Sequence, residues 1–284
     1  MKDSFGRSIK FPPARFVADV AHVYFSRRVS RAAAGLAYFM VLTFFPIIIC
    51  LSAFLDSLSL DLNTLLDEAA HFLPTQIIHI FQDYLRYLNG NQSTSMFIIG
   101  LIMTIFFAAA AVRGLMHIMQ EIYGRTTFRG LRQLLASFLF SLLLLLTIYL
   151  SMGVLVTGNW FFHLLGDLLG LVDLVERFGA WQWLKYIILL AMVFLFILLL
   201  YRFVAPLEKP RPPVIPGALA ASVALAAASM VFSAFIGGST RYSLVYGSLA
   251  SVIILLVWLY LCGNILILGS IINYVIYAHR KEKP

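Results

Sequence analysis

The chain has 284 residues, of which 61% are hydrophobic and only 12% charged, with a formal net charge of +8. That balance lies far outside the range of a soluble domain, so the positive charge reads as a topology signal with an anionic-lipid component and not as nucleic-acid binding. The stretches between apolar runs are too short to bury a core of their own, which places function in or against a bilayer.

In chain order, residues 1–13 are polar and basic and end in Pro12-Pro13, a stop signal ahead of the next segment. From Ala14 onward, Phe16, Val20, Val23 and Tyr24 recur at helical spacing among Arg15, Asp19, Arg27, Arg28 and Arg31. This pattern predicts an amphipathic helix lying on the cytoplasmic leaflet and turning into the first span near Ser30 to Ala34. Arg27, Arg28 and Arg31 then stand where anionic headgroups would meet them.

Six apolar stretches follow, at about 32–55, 96–119, 134–156, 183–204, 214–236 and 249–276. A helix rising about 1.5 Å per residue needs roughly 20 residues to cross a hydrocarbon layer about 30 Å thick, and each stretch is long enough. The predicted fold class is all-α: a polytopic membrane protein of six transmembrane helices with amphipathic interfacial helices. Its organisation is a cytoplasmic segment over 1–31, a membrane domain over 32–277 and a basic tail over 278–284. The first stretch lacks a small-residue cleavage site followed by a polar mature region, so it is expected to remain as a span and not to act as a signal peptide. Threading the six spans puts 17 of the 21 Lys and Arg on the side of the two termini and leaves Arg86, Arg177, Lys185 and Arg241 opposite. The acids divide 5 to 8 the other way. The positive-inside rule therefore predicts cytoplasmic N- and C-termini.

Within the first span, Pro46 interrupts the run, as a bend or as a broken helix that opens backbone groups to a substrate. Residues 56–95 read as two short external amphipathic helices split near Pro74. There Asp67 with His71, and His79 with Asp83, are each four residues apart; such pairs are common on solvated faces, and no metal is expected. The second span runs without a breaker into Arg113, His117 and Glu121, one face at spacing four. Snorkelling with an Arg to Glu network accounts for this stripe; alternatively Arg113 and His117 receive an anionic headgroup or substrate, helped by Arg125, Arg129 and Arg132 in the loop that follows.

The segment from Gly158 to Gln182 predicts a surface-lying helix between Trp160 and Trp181. Five prolines from Pro206 to Pro216 make a stiff connector between spans four and five. In span five, Gly217, Ala220, Ala221, Ala224 and Ala228 form a close-packing face. The last span, over 40 Å long at about 1.5 Å per residue, must tilt, bend near Gly263-Asn264 or protrude. Cys50 and Cys262 fall inside spans as small apolar fillers. Tyr38, Tyr246, Asn264 and Asn273 are hydrogen-bonding groups in or near spans, each needing a partner there, and they join Arg113 and His117 as candidate substrate contacts.

Four segments together resemble the YihY/BrkB family of bacterial inner-membrane proteins, once labelled ribonuclease BN-like. They are Ala33-Ala34-Gly35-Leu36-Ala37-Tyr38-Phe39 leading to Leu42-Thr43-Phe44-Phe45-Pro46; Met116 to Tyr123 ending Glu121-Ile122-Tyr123-Gly124; Pro216-Gly217-Ala218-Leu219; and Val245-Tyr246-Gly247-Ser248-Leu249-Ala250 followed by Leu259-Tyr260-Leu261. The match runs from about Phe16 to Tyr277. The resemblance implies a six-span inner-membrane protein with cytoplasmic termini, and roles suggested for the family are envelope-lipid transport and virulence. Where many members carry Gly-Ala-Glu-Leu-Asn, this chain reads Gly269-Ser270-Ile271-Ile272-Asn273, so Ile271 occupies the acid's place and a proton-driven scheme resting on that acid is weakened.

Enzymatic function is not expected, because no paired carboxylates, metal cluster or phosphate-cradling loop is visible in the spans. The favoured function is binding or translocation of an amphiphilic or anionic, envelope lipid-like substrate. The alternative is a non-transporting scaffold or envelope-assembly factor. The partners expected are membrane lipids through their anionic headgroups, with a homo-oligomer left open and no nucleic acid, and no cofactor is called for.

Overall fold

A computed structural model describes residues 13–57, 78, 82, 94–124, 131–169, 180–205, 211–237 and 249–281. These residues form seven helices: α1 (Pro13–Ser26), α2 (Val29–Ser57), α3 (Thr94–Ile122), α4 (Leu131–Leu169), α5 (Ala180–Val204), α6 (Ile215–Gly237) and α7 (Leu249–Lys281). α2 to α7 are each long and apolar enough to cross a membrane, with six candidate spans at Val29–Cys50, Phe97–Ile122, Leu131–Ser151, Tyr186–Val204, Ile215–Phe232 and Val252–Arg280.

α7 is the hub. It packs against α1, α2, α3 and α6, while α4 and α5 close the bundle through α3 and α6. The main buried cluster draws on Val29, Ala33 and Leu36 of α2, Ala111 to Ile122 of α3, Ile197 to Ala205 at the end of α5, Val214 to Ala221 at the start of α6, and Leu266 to Val275 of α7. All of these lie toward the end of the bundle where both terminal helices meet. There the His279 Nε2 and Asp19 Oδ2 atoms are 2.8 Å apart. Dense packing in this half follows from backbone proximity. A Cβ added at Gly217 would run into the Gly269 carbonyl oxygen, and one at Gly269 would lie 2.7 Å from that of Gly217, so only glycine permits this crossing of α6 and α7.

Local signals set the helix ends. α3 stops at Gly124, whose φ of +66° is the left-handed conformation that glycine adopts without Cβ strain. Its N–H donates to the Glu121 carbonyl at 3.1 Å. Between α1 and α2 the same turn is made by Arg28, at φ +51°. α5 ends at Val204 and α6 begins at Ile215, as the proline-rich connector requires.

Three expectations take a definite form. α2 runs as one helix through Pro46, with Thr43 Oγ1 donating to the Phe39 carbonyl at 2.8 Å in the turn before it. α4 continues unbroken to Leu169, so the residues from Gly158 to Leu169 prolong the helix of the third span and do not start a separate one. No proline interrupts α4, and its glycines, Gly153, Gly158 and Gly166, are spaced apart and cost about 1 kcal/mol each, too little to end a helix of this length. The apolar stripe of α1, Phe16, Val20, Val23 and Tyr24, packs on the core cluster, so it is covered by protein where a leaflet surface was expected. Val17 and Phe25, 64% and 75% exposed, remain to face outward.

Candidate functional site

α3 presents one continuous exposed face. It carries Ile98, Ile99, Ile102, Met103 and Phe106, then Arg113, Gly114, His117 and Glu121. The opposite face, from Thr104 through Ala108, Ala111, Leu115 and Met119 to Ile122, is buried. The stretch from Met96 to Val112 has the composition and, at about 1.5 Å per residue, about 25 Å of length, close to the thickness of a hydrocarbon core. Arg113 directly follows that stretch, and His117 and Glu121 stand on the two turns beyond it, within a candidate span that runs from Phe97 to Ile122. Among the described residues, neither Arg113 nor His117 makes a hydrogen bond or ion pair, so the expected Arg to Glu network is not formed.

The other predicted contacts divide into outward and inward groups. Tyr38 is 56% exposed on the outer face of α2, in line with Arg31, Ala34 and Gly35. Arg27, Arg28 and Arg31 are exposed at the α1 to α2 corner, and Arg132 is exposed at the start of α4. Asn264 and Asn273 face inward. Asn264 Oδ1 accepts from the Tyr24 hydroxyl at 2.8 Å, and its Nδ2 donates to the Tyr260 carbonyl at 2.8 Å. Ser30 and Tyr260 pair through their hydroxyls at 2.7 Å beside them. Burial, then the neighbouring Tyr260, push the Tyr24 pKa up, which keeps its phenol a donor.

Asn273, fully buried, performs a different task. Its Oδ1 accepts from the Gly217 N–H at 2.7 Å and its Nδ2 donates to the Val214 carbonyl at 3.2 Å. Gly217 lies in the first turn of α6, whose N–H groups have no partner within their own helix. Asn273 thus caps α6 from α7. Two turns back along α7 the Tyr201 hydroxyl donates to the Leu266 carbonyl. Ile271 has no exposed surface and lies in the core cluster.

Tyr246, Arg125 and Arg129 lie outside the described residues, as do Asp67, His71, His79 and Asp83. Among the described residues no three His, Cys, Asp or Glu side chains come together. Cys50 and Cys262 are buried free thiols. Among the described residues, Trp258 Nε1 and Gln120 Nε2 are buried without a hydrogen-bond partner, and the sequence singled out neither; Gln120 is 3% exposed. It is the lone amide of α3, and its place four residues after Met116 on the buried side was the available signal.

The helices and their basic, partly outward-facing end define a polytopic α-helical membrane protein. The chain belongs to the Virulence factor BrkB family, whose model matches residues 20–284. It is similar to the ribonuclease-like protein YfkH of Bacillus subtilis, 27% identical over 254 residues, covering 87% of this chain and 90% of that one. It is also similar to a UPF0761 membrane protein of Enterobacter sp., 38% identical over 85 residues, 30% of this chain and 29% of the relative. A UPF0761 membrane protein of Coxiella burnetii is 29% identical over 124 residues, 42% of this chain and 45% of the relative. No solved structure matches.

Proposed function

We propose that this protein sits in the bacterial inner membrane with both termini cytoplasmic, binds an anionic amphiphile of the envelope, and moves it between leaflets. The observation that carries this function is the outward face of α3, which changes from Ile99, Ile102 and Phe106 to Arg113 and His117. A lipid has the same profile, with chains that match the apolar stripe and a phosphate that matches the guanidinium. The arginines of the α1 to α2 corner add charge at the same end of the bundle and raise the local concentration of anionic lipid, by about 1 kcal/mol per basic residue near such a surface.

Lipid retention tests the binding step. Full-length protein purified in mild detergent is expected to carry anionic phospholipid in preference to zwitterionic lipid when measured by native mass spectrometry, and Arg113→Ala is expected to lose several-fold of it. Equal retention by both proteins contradicts the proposal. A second function, as a non-transporting scaffold, is favoured by one observation: Asn264, Asn273 and Tyr201 are all bound up in helix-to-helix hydrogen bonds. A scaffold leaves lipid retention unchanged in Arg113→Ala.

A further inference from the structure

α1 is fastened to the bundle and is not woven into its core. None of its described side chains, from Arg15 to Ser26, is fully buried, while each of α2 to α7 sends several inward. Two polar hooks hold it along α7: the Tyr24 hydroxyl on Asn264, and Asp19 on His279. The second is open to water, with the Asp19 side chain 40% exposed. A third contact, Ser30 to Tyr260, lies just past the turn into α2. In that turn Arg28 has a φ of +51°, a conformation that a residue with a Cβ holds only under strain. A shallow docking face, a water-exposed hook and a strained hinge put α1 at the low-stability end of the molecule, from which moving elements are drawn.

Part of what α1 covers is polar. Asn264 lies near the middle of the candidate span Val252–Arg280 and is 8% exposed, and Tyr260 stands one turn from it on the same face. With Ser30 they make a seam of hydroxyl and amide groups beside α1, and such groups donate to the oxygens of a phosphodiester headgroup. Tyr24 of α1 closes this seam. We infer that α1 is a detachable strap: docked on α7 it shuts the seam, and released onto the cytoplasmic leaflet it opens the seam to a lipid headgroup. The leaflet is a second cover for α1, because Phe16, Val20 and Val23 form an apolar stripe and Arg15, His22, Arg27 and Arg28 are exposed around it. An anionic leaflet attracts those basic groups, whereas Asp19, the one acid of α1, is the residue that α7 holds. The inference rests on the lipid-moving function proposed above and adds the element that gates it.

Spin labels on His22→Cys and Arg280→Cys, both exposed and outside the hooks, report the distance from α1 to the end of α7 in full-length protein in nanodiscs. The native Cys50 and Cys262 are buried and stay unlabelled. Two distances are expected, one docked and one longer, with the longer population rising several-fold from phosphatidylcholine to phosphatidylglycerol discs. A single docked distance in both lipids overturns the strap. Asp19→Cys with His279→Cys, joined by a short reducible thiol cross-linker, then holds α1 down, with wild type treated alike as the control. In liposomes the joined protein is expected to expose a fluorescent anionic phospholipid to an external quencher several-fold more slowly than wild type, and to recover on reduction. A joined protein that moves lipid as fast as an active wild type overturns the gate. Wild type that moves no lipid defeats the function proposed above, and the spin-label distances then decide the release of α1 by themselves.

Discussion

At the α6 to α7 crossing, two glycines and an asparagine do work that no substitute can share. Gly217→Ala drives a methyl group into the Gly269 carbonyl, with Asn273 Cγ only 2.6 Å away, and the helices must part. Overpacking of this kind costs about 1–3 kcal/mol, which is expected to lower the melting temperature in detergent by several degrees. Gly35→Ala is expected to leave it unchanged or raise it slightly, since the added methyl meets open space and alanine favours a helix by about 1 kcal/mol over glycine. Asn273→Ala orphans the Gly217 N–H in the core, at about 1–3 kcal/mol, while the Val214 carbonyl keeps its bond from the Ala218 N–H. The same thermal-shift measurement is expected to show a clear loss for Asn273→Ala, and an unchanged melting temperature contradicts the capping role. Sequence alone marked Asn273 as a polar group in need of a partner and span five as a close-packing face. It did not join the two, because the partners lie 56 residues apart and only the crossing of two helices brings them together.

Among the elements, α1 shows how far an amphipathic pattern reaches. Its apolar residues were legible from spacing, but spacing describes a face and not what covers it. The cover is the second half of α7, held by Tyr24 to Asn264 and by Asp19 to His279. This also accounts for the length of α7, 33 residues in one helix: its last turns run beside α1 past the start of α2, so the helix protrudes with a protein partner. Combining Tyr24→Phe with Asp19→Ala is expected to speed amide hydrogen exchange across residues 13–26 while exchange in α6 stays unchanged. Equal acceleration in both places would mean that α1 is an integral part of the core and not a docked helix. The end of α4 departs from expectation for a related reason. The acids and tryptophans of residues 158–182 suggested a separate segment, yet no proline lies between Val156 and Leu169, and propagation past Gly158 and Gly166 costs less than starting a new helix.

For the whole molecule, the spans were the most legible feature, because the bilayer demands long apolar helices with every backbone group satisfied. The proposed lipid-facing surface was legible only in part. Arg113, His117 and Tyr38 were singled out as polar groups in apolar surroundings, but the same logic selected Asn264 and Asn273, which the fold spends on packing. Distinguishing a group turned outward from one turned inward takes the helix faces. The proposed orientation follows from the even number of spans and the bias of basic residues, and periplasm-sensitive reporters fused at either terminus are expected to stay silent. One active and one silent terminus would contradict six crossings.

Leaflet-resolved lipid movement bears most directly on the proposed function. Wild-type protein reconstituted into liposomes with a fluorescent anionic phospholipid is expected to expose that lipid to a membrane-impermeant quencher faster than empty vesicles do, and Arg113→Ala is expected to fall toward the empty-vesicle rate. Wild-type vesicles that quench no faster than empty ones would contradict it.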